Sequence, residues 1–184
     1  MTRLQGTLII VLAVALAAIG FGVYQKIGSS EGSSSAVTIG EPAPEYSANT
    51  LGGETVQLSD FKGEKTVMVN IWATWCQPCR EEMPQLQKLY EEYKDDGLVV
   101  LGVGVDGNGQ ERAIRRFVES VGVTFPILHD PEKRIVRTFE TIGIPQTFLI
   151  DKNGELIYRW RGQFKPPSDS AQTIVRNALA KEEQ

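Results

Sequence analysis

The pentapeptide Trp75-Cys76-Gln77-Pro78-Cys79 contains both cysteines of a 184-residue chain. It lies where a strongly apolar run gives way to a segment with helical periodicity, so the thiols fall at a helix N-terminus. Unpaired backbone N–H groups there carry partial positive charge and favour a thiolate, lowering a cysteine pKa from about 8.5 toward neutrality. A three-residue offset in the first helical turn also keeps two α-carbons within disulfide reach, about 4.4 to 6.8 Å. Dithiol and disulfide are both accessible, and the pair reads as a redox centre.

Other uses of two cysteines fit less well. Structural zinc needs four ligands, and beyond the cysteines the chain offers a single histidine, His129; no metal site is expected. A purely structural disulfide of this span closes too short a loop to restrict the unfolded chain much. A peroxidase built on one reactive cysteine is expected to show a Pro-x-x-x-Thr/Ser-x-x-Cys lead-in, whereas Val69 and Ala73 occupy those positions before Cys76.

The elements that must position the pair are legible around it. Residues 66–72 (TVMVNIW) and 98–105 (LVVLGVGV) are short, rich in β-branched residues and nearly continuous in apolar character, the pattern of parallel strands covered on both faces. Between them Met83, Leu86, Leu89, Tyr90 and Tyr93 recur at helical spacing and predict a helix over 76–93, with Pro84 removing one donor inside it and kinking it. Strand, helix and strand make a βαβ unit. Further helices are predicted around Ile114, Phe117, Val118 and Val121, and around Ile135, Val136 and Phe139. Residues 146–150 and 155–160 flank Asp151-Lys152-Asn153-Gly154 as an antiparallel hairpin, and Ile174, Val175, Ala178 and Leu179 mark a closing helix after Pro166-Pro167-Ser168. Residues 45–58, with Gly52-Gly53 at the bend, read as an N-terminal hairpin.

Ahead of this domain, residues 7–24 (TLIIVLAVALAAIGFGVY) carry no charge, and a helix of about 18 residues nearly spans a hydrocarbon core of about 30 Å. Ala15-Leu16-Ala17 has the form of a signal-peptide cleavage site but lies inside the apolar run, which favours an uncleaved anchor. Arg3 precedes the span and Lys26 follows it, a weak bias toward a cytoplasmic N-terminus at 1–6. A lone Cys-x-x-Cys domain suits the outer face, where disulfides persist. Residues 25–37, including Gly28-Ser29-Ser30-Glu31-Gly32-Ser33-Ser34-Ser35, have the composition of a flexible linker, and 38–184 form the globular domain. With 41% apolar residues, a formal net charge of −4 and no basic patch, the chain is expected to bury one core, to be monomeric and not to bind nucleic acid.

A βαβ unit followed by a ββα unit, with Trp-Cys-x-x-Cys at the first strand–helix junction, resembles the thioredoxin fold. The segments NIWATWCQPCREEMP (70–84) and GIPQTFLID (143–151), together with the anchor, resemble the membrane-tethered ResA/TlpA-type thiol-disulfide oxidoreductases over residues 38–181. The resemblance implies an α/β thioredoxin-like fold, its central mixed sheet flanked by helices, with an N-terminal hairpin and an inserted strand–helix element near Ile114 to Val121. It implies that Cys76 attacks and Cys79 resolves, an order also favoured because the first cysteine lies nearer the helix end and the solvent. Pro145 matches the cis-proline that faces the disulfide, and Trp75, Pro78, Ile144 and Pro145 are the implied substrate contacts.

Thioredoxin itself carries a buried aspartate six residues before the first cysteine, where this chain has Asn70. Glu82, one turn beyond Cys79 on the same helical face, matches the glutamate that ResA-like proteins keep beside the dithiol, and is the expected proton-handling carboxylate. Trp72 is expected to pack and Trp75 to meet substrate. The implied activity is extracytoplasmic dithiol reduction, with no cofactor beyond the Cys76–Cys79 pair. An apocytochrome c or other envelope protein is the implied substrate, and a membrane electron donor re-reduces the pair. The alternative is a thioredoxin-fold Cu(I) metallochaperone using Cys76, Cys79 and His129, since soft thiolates suit Cu(I). That alternative treats His129 as something other than an ordinary surface-loop residue.

Overall fold

In the computed structural model, residues 37–165 and 169–180 are described. Along them run β1 (Ser47–Thr50), β2 (Thr55–Gln57), β3 (Thr66–Trp72), α1 (Gln77–Tyr93), β4 (Leu98–Gly104), α2 (Glu111–Val121), β5 (Ile127–His129), α3 (Arg134–Thr138), β6 (Gln146–Ile150), β7 (Leu156–Arg161) and α4 (Asp169–Ala180). The predicted anchor at 7–24 and all but the last residue of the predicted linker lie outside the described residues. Among the described residues, no helix is long and apolar enough to cross a membrane.

All seven strands form one mixed sheet in the order β2-β1-β5-β4-β3-β6-β7. β3, β4 and β5 are parallel neighbours, while β6 and β7 return antiparallel on one side and β1 and β2 on the other. Every residue of β3 is buried, which requires cover on both faces and explains its lack of alternation. Met83, Leu86 and Leu89 of α1, Ile114 of α2 and Val175 of α4 are buried in the same core as Met68, Ile71 and Leu101.

The helix pattern and the N-terminal hairpin read from the sequence are present. The resemblance implied an inserted strand, but the residues of β5 were not assigned from the sequence: its three residues, between Pro126 and Asp130-Pro131, are too short for a readable period, and only pairing with β4 and β1 makes them a strand. It carries the inserted element into the sheet, so His129 ends a strand rather than lying in a surface loop. Pro84 sits inside α1, and the helix runs unbroken through it from Gln77 to Tyr93.

The polarity of β3 positions the site. Its C-terminal end delivers Ala73 to Cys76 at the edge of the sheet, and Gln146 pairs with Ile71 beside it. The β6–β7 bend lies at the other end, where Ile150 pairs with Val67. There the bend is clasped by the start of the domain: Gly40 N–H donates to the Leu156 carbonyl (2.8 Å), Leu156 N–H to Glu41 (2.9 Å) and Ala43 N–H to Gly154 (2.8 Å).

Candidate active site

Cys76 is the N-cap of α1, with φ −85° and ψ 103°, and its sulfur accepts the Cys79 N–H at 3.3 Å. The first turn of α1 holds no acidic residue and has Pro78 within it, so the sulfur itself occupies the electropositive helix end on a conformationally fixed turn. Cys76 and Cys79 form a disulfide with α-carbons 5.3 Å apart. Cys79 is fully buried and Cys76 is 6% exposed, so the solvent-side sulfur is the first, as expected.

Around this pair, Trp75 is 66% exposed and Trp72 fully buried. Trp72 leans on Phe117, ring centroids 5.4 Å apart. The Ile144–Pro145 bond is cis. Because Ile71 pairs with Gln146, Pro145 lies one residue further on, against the end of β3 from which the cysteine loop emerges. Ile144 is half-buried, Pro78 exposed, and Ile142 exposes 87% of its surface on the approach to the cis bond. Sequence reasoning did not single out Ile142.

Glu82 is fully buried, unlike its exposed neighbour Glu81. Asn70 donates its side-chain amide to Glu82 Oε1 at 2.7 Å and to Thr147 Oγ1 at 3.0 Å, and the Phe164 N–H reaches Glu82 Oε2 at 2.5 Å. Burial is the larger effect and raises the carboxyl from 4.5 to about 7, against the two hydrogen bonds, which lower it. Asn70, which stands where thioredoxin has its acid, thus serves as the partner of the displaced carboxylate. Nothing in the sequence marked Phe164 or Thr147 for this role, because Phe164 reaches Glu82 only through the loop after β7 and Thr147 reaches Asn70 only through the pairing of β6 with β3.

A second buried carboxylate, Asp106, lies two residues past the end of β4 and is 1% exposed. It accepts from the backbone and hydroxyl of Thr74, two residues before Cys76. The available signal was a lone acid closing an apolar strand at the same edge as the cysteines.

His129 is held by other groups. Its Nε2 lies 3.0 Å from the Asp106 carbonyl and its Nδ1 3.4 Å from Glu111 Oε1, with the side chain only 9% exposed. Among the described residues, no three His, Cys, Asp or Glu side chains are grouped to hold a metal. The copper-carrier alternative is therefore not favoured: its third proposed ligand has both ring nitrogens engaged elsewhere.

A mixed sheet with a Cys-x-x-Cys disulfide capping the helix after its central strand, and a cis-proline opening the neighbouring strand, defines a thioredoxin-like thiol-disulfide protein. The AhpC/TSA family model matches residues 39–159. Two curated relatives are named thiol-disulfide oxidoreductase ResA: one of Bacillus cereus, 36% identical over 84% of this chain and 86% of its own, and one of Geobacillus kaustophilus, 40% identical over 79% and 80%. A Chlorobium tepidum crystal structure assigned as thiol:disulfide interchange protein DsbE superposes with a TM-score of 0.71 at 29% identity, covering 77% of this chain and 98% of that one. The chain belongs to the ResA-type thiol-disulfide oxidoreductases of the AhpC/TSA family.

Proposed function

We propose that this oxidoreductase works as a dithiol reductase of envelope proteins, held at the membrane by residues 7–24 with its domain on the extracytoplasmic side. In the reduced protein the Cys76 thiolate attacks one sulfur of a substrate disulfide, and the other substrate sulfur leaves and takes up a proton. Cys79 then loses its proton and attacks Cys76 Sγ in the mixed disulfide. The second substrate thiol departs and the Cys76–Cys79 disulfide remains. Two electrons pass to the substrate, and a membrane donor of two electrons restores the dithiol.

The observation that carries this reading is Glu82: a buried carboxyl raised to about 7, one helical turn from the buried Cys79. Such a group exchanges a proton near neutral pH with little driving force, which suits removal of the Cys79 proton during resolution. Exposed Trp75 and Pro78, half-buried Ile144 and cis-Pro145 supply an apolar rim for an extended substrate strand. A cysteine pair in an apocytochrome c, awaiting haem attachment, is the proposed substrate, a reading consistent with the ResA name of the relatives.

The reduction potential tests the direction of flow. A value near that of thioredoxin, about −270 mV, is expected, while one above about −180 mV points to an oxidase or isomerase. Cys79→Ser should accumulate a mixed disulfide with an apocytochrome c peptide through Cys76, and failure to trap any such adduct would remove that substrate.

A further inference from the structure

Asp106 is a buried carboxylate that the exchange chemistry above does not use. Desolvating a carboxylate is expensive unless hydrogen bonds replace its water, and here both oxygens are committed to one residue. Thr74 N–H lies 3.1 Å from Oδ2 and 3.2 Å from Oδ1, and the Thr74 hydroxyl donates to Oδ1 at 2.5 Å. The bonds are charge-assisted and therefore the strong kind.

Thr74 belongs to the short loop that joins β3 to α1. Val105 N–H donates to the Trp72 carbonyl at 2.9 Å and Cys76 N–H to Ala73 at 3.1 Å, while Arg80 reaches the Thr74 carbonyl at 3.4 Å. On the far side, the Asp106 carbonyl faces His129 Nε2, and His129 Nδ1 faces Glu111. The loop before Cys76 is thus fastened to the ends of β4 and β5, with Asp106 as the fastening side chain.

We propose that Asp106 is a positioning residue for Cys76, acting through Thr74. For the Cys76 sulfur to accept the Cys79 N–H, Cys76 must keep the extended conformation of an N-cap. In the oxidised protein the disulfide helps to hold it there. Once the bond opens, that covalent restraint is gone and the residues before Cys76 must do so alone. The Asp106–Thr74 clamp does not involve the sulfurs, so it persists through the redox cycle and keeps the thiolate on the helix end. The inference rests on the reading of Cys76 as the attacking thiol.

The test is the pH profile of iodoacetamide alkylation in the reduced full-length protein, with the modified cysteine located by mass spectrometry. Thr74→Val removes the hydroxyl bond while preserving shape, and Asp106→Asn removes the charge assistance. Both should move the Cys76 profile to higher pH, with about a tenfold loss of rate at neutral pH for each unit of displacement, and Thr74→Ser should bring it back to the parent's. The direction is diagnostic, because removing a nearby negative charge would by itself favour the thiolate and move the profile down. A downward move in Asp106→Asn, or a Thr74→Val profile equal to the parent's with only a lower melting temperature, overturns the positioning role. If Cys79 is alkylated first in the parent, the attacking-thiol reading fails and the inference falls with it.

Discussion

Glu82 has opposite effects on stability and on chemistry. Its carboxyl is raised in the folded protein from 4.5 to about 7, first by burial, so between those values the folded state binds the extra proton. Stability from this group is fully present below about pH 4.5 and declines as pH rises through about 7, by a total on the order of 3 kcal/mol. Glu82→Gln should therefore be more stable than the parent above pH 7 and no more stable below pH 4.5, by urea unfolding of the oxidised protein across that range. Parallel curves for the two would mean that folding leaves the Glu82 pKa unshifted. The same substitution should lower the apparent thiol pKa of the coupled set and slow exchange with a protein disulfide at neutral pH. Glu81→Gln, exposed and bonded to Gln77 and Gln163, should leave all three measurements unchanged. Trp75→Ala belongs to this scale too. With 66% of the side chain exposed, stability should change by less than about 0.5 kcal/mol, while KM for a protein disulfide rises and the rate with a small disulfide holds.

At the scale of elements, β4 carries a residue whose smallness is required by its neighbours. A β-carbon on Gly102 would lie 2.8 Å from Ile127 Cδ1 and 3.0 Å from Phe125 Cε2, closer than packed atoms tolerate. Gly102→Ala should cost about 1 to 3 kcal/mol of stability, read from the denaturant midpoint, and a neutral result would show that the Ile127 and Phe125 side chains can give way. These two partners also mark the limit of what could be read from the chain. The continuous apolar runs of β3 and β4 and the helical spacing of Met83, Leu86 and Leu89 announce themselves locally, as does the Cys-x-x-Cys at their junction. Ile127–His129 does not, because three residues have no period and their strand character comes from β1, distant in sequence. The same holds in the site. Glu82 was legible by its offset from Cys79, whereas Asn70–Glu82–Phe164 and Asp106–Thr74 join residues far apart in sequence and become visible only when the sheet brings their elements together.

For the molecule as a whole, the residues from 36 on form one compact unit with a core drawn from every large element of the fold. A chain beginning at residue 36 should be soluble and monomeric, with the melting temperature and the exchange rate toward a dissolved peptide disulfide of the full-length protein. A fall in melting temperature would mean that the N-terminal segment contributes to the core. The clasp of residues 40–43 on the β6–β7 bend adds a practical consequence. That bend and the cysteine pair lie at opposite ends of β3, whose seven residues extend about 20 Å. A bead, electrode or fusion partner attached through the N-terminus therefore joins the domain at the end of the sheet remote from its sulfur chemistry. Immobilised in that way, the protein should keep its full turnover, and a sensor or reducing resin built on it should be wired from the front of the chain.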